Sequence, residues 1–207
     1  MKRFRAIFTV LAAAVIMTVS SCKETEEFDD HANWQERNSA FISDIASAYS
    51  NDMPESAAKG ARFRLLSFAL DPEKKTWGND NYVYCEVLEQ GTGTQVPYYN
   101  DSVRFNYRVR LIPTDYYPEG QVVDQSFKTA SLDPSVNIPA SFAVNTVIEG
   151  VTTALMHMHC GDYWKLYIPS GLAYGTSGSG SIPGHSTLIF EINLTEIAHT
   201  GNDLSPR

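Results

Sequence analysis

Val147-Ile148-Glu149-Gly150-Val151 opens the stretch that decides the fold, which continues through Leu172-Ala173-Tyr174-Gly175 to Ser181-Ile182-Pro183-Gly184-His185-Ser186-Thr187-Leu188-Ile189-Phe190. Within it Val147, Val151, Leu155 and Met158 recur at spacings of four, four and three, one stripe of a short helix. Gly161-Asp162 breaks that helix. Trp164-Lys165-Leu166-Tyr167-Ile168-Pro169 then alternates as a strand, and Ser186 to Ile197, rich in Leu, Ile and Phe, reads as the last strand.

Upstream of this stretch, Ser102 to Leu111 sets Val103, Phe105, Tyr107, Val109 and Leu111 on one face against Arg104, Asn106, Arg108 and Arg110 on the other. That period of two marks a half-buried strand. The loop Pro113 to Gly120 turns the chain back into Gln121-Val122-Val123-Asp124, and Tyr82 to Leu88 reads as an earlier strand, followed by Gly91-Thr92-Gly93. Those glycines fail as a dinucleotide fingerprint, because no third glycine follows and no helix opens there. Further back, Trp34, Phe41, Ile42, Ile45 and Tyr49 recur at helical spacing between Asn33 and Tyr49, and Ser50-Asn51-Asp52-Met53-Pro54 ends the helix. Strands dominate with one short helix among them, an α+β pattern suited to an antiparallel sheet.

The ordered set of a V-I pair opening a helix, an A-Y-G loop, a Gly-rich segment and an I-P-x-H-x-T-L-x-F strand resembles the FK506-binding type of peptidyl-prolyl isomerase, from about Tyr82 to Ala198. The resemblance implies a curved antiparallel half-barrel sheet wrapped around one short α-helix, here with an N-terminal helical extension. The corresponding boundaries are a signal peptide at 1–21, an acidic tether at 22–32, a helical segment at 33–60, a connection at 61–81, the isomerase domain at 82–198 and a tail at 199–207.

Carried over residue by residue, the resemblance places catalytic roles on Tyr107, Asp124, Ile148, Tyr174 and Phe190. The Ile148 N–H and the Tyr174 phenol would donate to substrate carbonyls, Asp124 would be a polar wall paired with Tyr107, and Phe190 and Tyr107 would line the proline slot. Substrate-binding positions fall on Val123, Ala140, Phe142, Val147, Val151 and Ile182. Three of these depart from the family: Val151 stands for a floor tryptophan, and Val123 and Ala140 stand where phenylalanine is frequent. Each lost ring removes ~150–250 Å² of potential contact, and Phe142 and Phe127 lie near enough in sequence to refill the space. Two segments, the hairpin loop after Leu111 and the connection Gln125 to Ser141, exceed those of compact members and are expected to border the pocket.

Such a pocket suits X-Pro isomerisation because the reaction needs little functional chemistry. Amide resonance sets a rotation barrier of ~18–20 kcal/mol, and uncatalysed exchange takes tens to hundreds of seconds. Resonance places charge on oxygen and nitrogen, so an apolar site disfavours the planar amide relative to the twisted one. Aromatic and aliphatic walls with one or two donors suffice, and no nucleophile, metal or cofactor is required. Partners are therefore proline-containing polypeptides. Two rivals remain: a non-catalytic chaperone or peptide-binding module on the same fold, and a structural lipoprotein subunit using the fold as scaffold.

The chain opens with Lys2, Arg3 and Arg5 before the apolar run Ala6 to Val19, and Val19-Ser20-Ser21-Cys22 matches a bacterial lipobox. Cleavage before Cys22, the lipid anchor in this reading, would leave 13 basic against 24 acidic residues, a net charge of −11. That balance speaks against nucleic acid. The acidic run after Cys22 resembles an outer-leaflet export signal, so the expected location is the envelope of a Gram-negative bacterium, as an outer-membrane lipoprotein held through its N-terminal lipid. The stripe on the first helix has two readings, packing on its own domain or a homodimer through the helix. Cys85 and Cys160 are left as a pair whose bonding geometry alone decides. His157-Met158-His159-Cys160 lacks the separated second ligand pair of a zinc site, and Gly175 to Gly180 contains no G-x-S-x-G.

Overall fold

The computed structural model describes residues 29–74, 76–133 and 136–206; the signal peptide, Cys22 and most of the acidic tether lie outside them. Seven strands form one antiparallel sheet: β1 (Arg62–Leu66), β2 (Tyr82–Glu89), β3 (Ser102–Arg110), β4 (Val122–Gln125), β5 (Ala140–Ala143), β6 (Tyr163–Ile168) and β7 (Leu188–Ala198). The order is β1-β2-β6-β7-β3-β4, with β5 pairing the first half of β3 beside β4.

Alternation along each strand sends one set of side chains inward. Val83, Cys85 and Val87 on β2, Trp164, Leu166 and Ile168 on β6, and Leu188, Ile192 and Leu194 on β7 are all buried in one core. Helix α2 (Glu149–Leu155) lies on this face, and residues 150–155 are buried without exception. Gly150 lets it sit so close: a Cβ there would lie 2.4 Å from Ile168 Cγ2, so only glycine fits.

On the outer face lies helix α1 (Trp34–Ala48). Its Ile42, with Tyr49 just beyond its end, joins Tyr84, Tyr167 and Ile189 of the sheet in a second apolar cluster. The stripe read from the sequence therefore packs on this chain's own sheet. Two polar ties fix the helix register: Trp34 Nε1 donates to Ser186 Oγ at 2.9 Å, and Asn38 Oδ1 accepts the Thr187 N–H at 2.7 Å.

The structure completes two sequence readings and corrects a third. The span 61–81 is more than a connection, because β1 extends the sheet beyond β2 through pairs such as Phe63 with Cys85. Cys85 and Cys160 are both free thiols. The two long segments do not border the inner pocket; Pro113, Pro118, Ala130 and Ser131 stand together on the outer face of the sheet. Among the described residues no helix is long and apolar enough to cross a membrane.

Candidate active site

A cavity of about 280 Å³ opens between the inner face of β3, the start of α2 and the loop leading into β7. Strand β3 supplies Phe105, Tyr107 and Val109 from alternate positions, and Phe190 enters from β7, where it pairs with Val109. Asp124 on β4 faces the same residue, Val109, from the other side. The register of three strands thus converges on one patch.

Rings make one wall. Phe105 and Phe142 stack with centroids 4.7 Å apart, and Tyr107 meets Phe142 edge-on at 5.9 Å and Phe105 at 5.8 Å. Offset and edge-to-face pairs of this kind add about 0.5–1.5 kcal/mol beyond area burial. Val151 forms the floor, 2% exposed, and Val147 and Ile148 come from the segment that opens α2.

The polar groups are few. Tyr107 Oη donates to Asp124 Oδ2 at 2.9 Å. Burial, then the hydrogen bond and charge of Asp124, push the Tyr107 phenol up to about 12, so it remains a donor at neutral pH. The Ile148 carbonyl accepts from Val151 and Thr152 N–H at 2.9 and 3.0 Å, but its own N–H donates to nothing among the described residues. Tyr174 is 40% exposed at the cavity mouth, and its phenol makes no hydrogen bond among the described residues. Two donors are therefore open to a ligand at the edge of an apolar hollow.

The loop carrying Tyr174 and Ile182 is folded tightly on itself. Gly175 N–H donates to Ser170 O, His185 N–H to Gly175 O, and Ser179 and Ile182 exchange two backbone bonds. Gly178 has φ +70°, and a Cβ there would lie 2.2 Å from Ile182 O, a conformation and an approach that glycine alone permits. Behind this loop, Ser186 Oγ donates to Pro183 O while receiving Trp34, so α1 braces the cavity wall from the outer side.

Of the positions expected from sequence, Tyr107, Asp124, Ile148, Tyr174, Phe190, Phe142, Val147, Val151 and Ile182 line the cavity. Val123 does not: β3 and β4 pair Val109 with Asp124 and Arg110 with Val122, leaving Val123 as the extra residue of a bulge at the core margin. Ala140 lies opposite Phe105, and its methyl stops short; Phe142, two residues on and on the same face, supplies the ring. Phe127 is on the other side of the sheet, buried with the Arg108 guanidinium 4.7 Å from its ring. Phe105, Val109 and Thr146 also line the cavity. The first two share the alternating face with Tyr107, a signal legible in sequence; Thr146 carries none.

The remaining candidates have structural partners. His157 Nδ1 lies 2.9 Å from Thr153 O, and His159 Nδ1 is 3.6 Å from Asp162 Oδ2. Asp162 in turn accepts the N–H groups of Gly91 and His159. These contacts close the turn after α2.

Comparison with known proteins agrees with this geometry. Residues 93–195 match the profile of the FKBP-type peptidyl-prolyl cis-trans isomerase. The peptidyl-prolyl cis-trans isomerase Mip of Coxiella burnetii is 37% identical over 141 residues, 68% of this chain and 54% of that protein. The FKBP-type 22 kDa peptidyl-prolyl cis-trans isomerase of Escherichia coli K12 is 43% identical over 112 residues, 54% of this chain and 48% of that protein. The chain spans about half the length of these curated relatives. A crystal structure of a peptidyl-prolyl cis-trans isomerase from Pseudomonas syringae superposes with a TM-score of 0.54 at 25% identity, covering 83% of this chain and 98% of that one.

Proposed function

Because this chain belongs, through residues 93–195, to the FKBP-type peptidyl-prolyl cis-trans isomerase family, we propose that it accelerates cis/trans exchange of X-Pro bonds in envelope or surface polypeptides. The observation that carries this reading is the pairing of a ring-walled apolar cavity with two unengaged donors, the Ile148 N–H and the Tyr174 phenol. A prolyl ring resting on Phe190, Val151 and Phe142 leaves water. The planar amide loses solvation of its resonance charges there, while the twisted amide, with less charge on oxygen, loses less. That difference lowers a barrier of ~18–20 kcal/mol, as differential binding requires. Tyr174 and Ile148 hold the flanking carbonyls so that rotation occurs about one bond. Asp124, held by Tyr107, offers a carboxylate on the opposite wall.

The volume, about 280 Å³, is near the lower end of ligand sites, about 300–1,000 Å³. It suits one prolyl group. Phe142 supplies the ring that Ala140 lacks, so activity survives the departures from the family at reduced rate. The lipobox at Cys22 and the acidic run after it support attachment to an envelope membrane by lipid. Ile42 and Tyr49 of the apolar stripe are buried against the sheet, which favours packing of α1 on its own domain over a homodimer through this helix.

Exchange in a short Ala-Pro peptide, followed by NMR magnetisation transfer, tests the activity. The wild type should accelerate it, and Tyr174→Phe and Asp124→Val should each lower the acceleration, by roughly tenfold for loss of one positioned polar contact. A wild type that binds proline peptides without accelerating exchange would favour the non-catalytic chaperone or binding module.

A further inference from the structure

The outer face of the sheet carries a second hollow, of about 550 Å³, enclosed by α1, the loop between β3 and β4, and the connection between β4 and β5. Its floor is a row of charges on adjacent strands: Lys165 on β6 lies opposite Glu191 on β7, and Glu191 opposite Arg108 on β3. Arg110 stands two residues along β3. Phe41 and Ile45 of α1 give the hollow an apolar wall.

The charges of the floor do not cancel. Glu191 receives Arg110 Nη1 at 2.5 Å on one oxygen and the Tyr163 phenol at 2.6 Å on the other. Arg108, 5% exposed, donates among the described residues only to neutral acceptors, Gln125 Oε1 and the carbonyls of Thr129 and Ala130. Lys165 makes no ion pair among the described residues; its ammonium lies 5.4 Å from the Tyr167 ring centre. Glu119, exposed at the rim, is the other carboxylate lining the hollow among the described residues. Three cations face two carboxylates, on a chain whose 24 acidic residues outnumber 16 basic ones. In a partly enclosed site such uncompensated charge attracts an anion more strongly than on open surface.

We propose that this hollow is a second polypeptide-docking site, which takes an extended segment carrying an acidic side chain next to an aromatic or aliphatic one. The acidic group meets Lys165 and the field of Arg108, and its apolar neighbour packs on Phe41 and Ile45. Charge complementarity selects the acidic segment. The site lies across the sheet from the cavity, so a polypeptide held there is retained whether or not its proline is engaged. This inference does not depend on the isomerase reading.

The test is fluorescence anisotropy of the mature chain titrated with a labelled, proline-free peptide, Ala-Glu-Phe-Glu-Ala-Gly. Saturable binding is expected, weakened by salt, and reduced roughly tenfold in Lys165→Glu, the change expected when a charge-assisted contact becomes repulsive. Lys165→Gln, which adds no repulsion within the charge row, should weaken it in the same direction. Tyr174→Phe should leave peptide binding unchanged, which separates failure here from failure of the isomerase reading. Circular dichroism confirms that each variant is folded. Three results would overturn the proposal: equal binding of the peptide with lysines in place of its glutamates, indifference to both Lys165 substitutions, or binding that emerges only once residues 23–28 are removed. The last would make the chain's own acidic run the occupant.

Discussion

Phe142 shows how a single side chain decides the shape of the cavity. It sits on a four-residue strand, yet its ring stacks on Phe105 and meets Tyr107 edge-on, so truncation removes the shared side of three rings. Phe142→Ala should lower acceleration of X-Pro exchange by roughly tenfold or more, for a stability loss of about 1–3 kcal/mol, below the range of fully buried rings. Val123→Phe, in contrast, should leave the rate unchanged, because Val123 sits at the β4 bulge and does not line the cavity. Exchange rates of the two variants, measured beside urea unfolding curves, check both statements. Tyr107 adds a pH signature. A phenol whose folded pKa is raised contributes stability that is fully present below the unfolded value of about 10 and is lost as pH rises toward about 12. Between about pH 6 and about pH 9 its protonation, and its bond to Asp124, should not vary.

Among the elements, the entry to β3 and the segment after β7 are joined through one carboxylate. Asp101, 1% exposed, accepts the Tyr98 N–H at 2.6 Å on Oδ2 and the Thr200 N–H at 2.9 Å on Oδ1, and its Oδ2 lies 2.7 Å from His199 Nδ1. Burial alone would raise its pKa, but the hydrogen bonds from Tyr98, His199 and Thr200 outweigh it and hold the carboxyl below its ordinary value. A depressed folded pKa gives stability that is present above the unfolded value of about 3.9 and disappears as pH falls through the folded one. Asp101→Asn should therefore destabilise by about 1–3 kcal/mol at neutral pH and by less in acid. Urea unfolding at pH 7 and at about pH 3 compares the two. Most elements were legible before the structure, because β3, β6 and β7 are long enough for a period of two to show and α1 carries a clear stripe. The short ones were not. Arg62–Leu66 has too few residues to tell a strand from any apolar run, and Ala140–Ala143 is a strand only because β3 offers it a partner. The β4 bulge is likewise a matter of register, which pattern does not encode. That is why the sequence pattern places Val123 at a cavity it does not line.

For the whole molecule, the anchor proposal concerns how the domain is held. If Cys22 carries lipid, Cys22→Ser should shift the protein from the membrane fraction to the soluble envelope fraction, or leave the precursor uncleaved, while the exchange activity of the released domain stays intact. Unchanged membrane partition on fractionation would exclude the lipid. A different consequence follows from the strand order. β7 lies at the centre of the sheet, between β6 and β3, although it follows the other six described strands in sequence. Without Leu188–Ala198 the sheet is two unconnected pieces, one of β1, β2 and β6 and the other of β3, β4 and β5. No hairpin early in the chain can be completed into the finished sheet as it leaves the ribosome, and pairings such as Ser102 with Ala198 close long loops, the topology of slow folders. A sheet whose central strand follows the other six in sequence stays open until Leu188–Ala198 is available, so the strands before it wait as two separate pieces that no contact of their own can join.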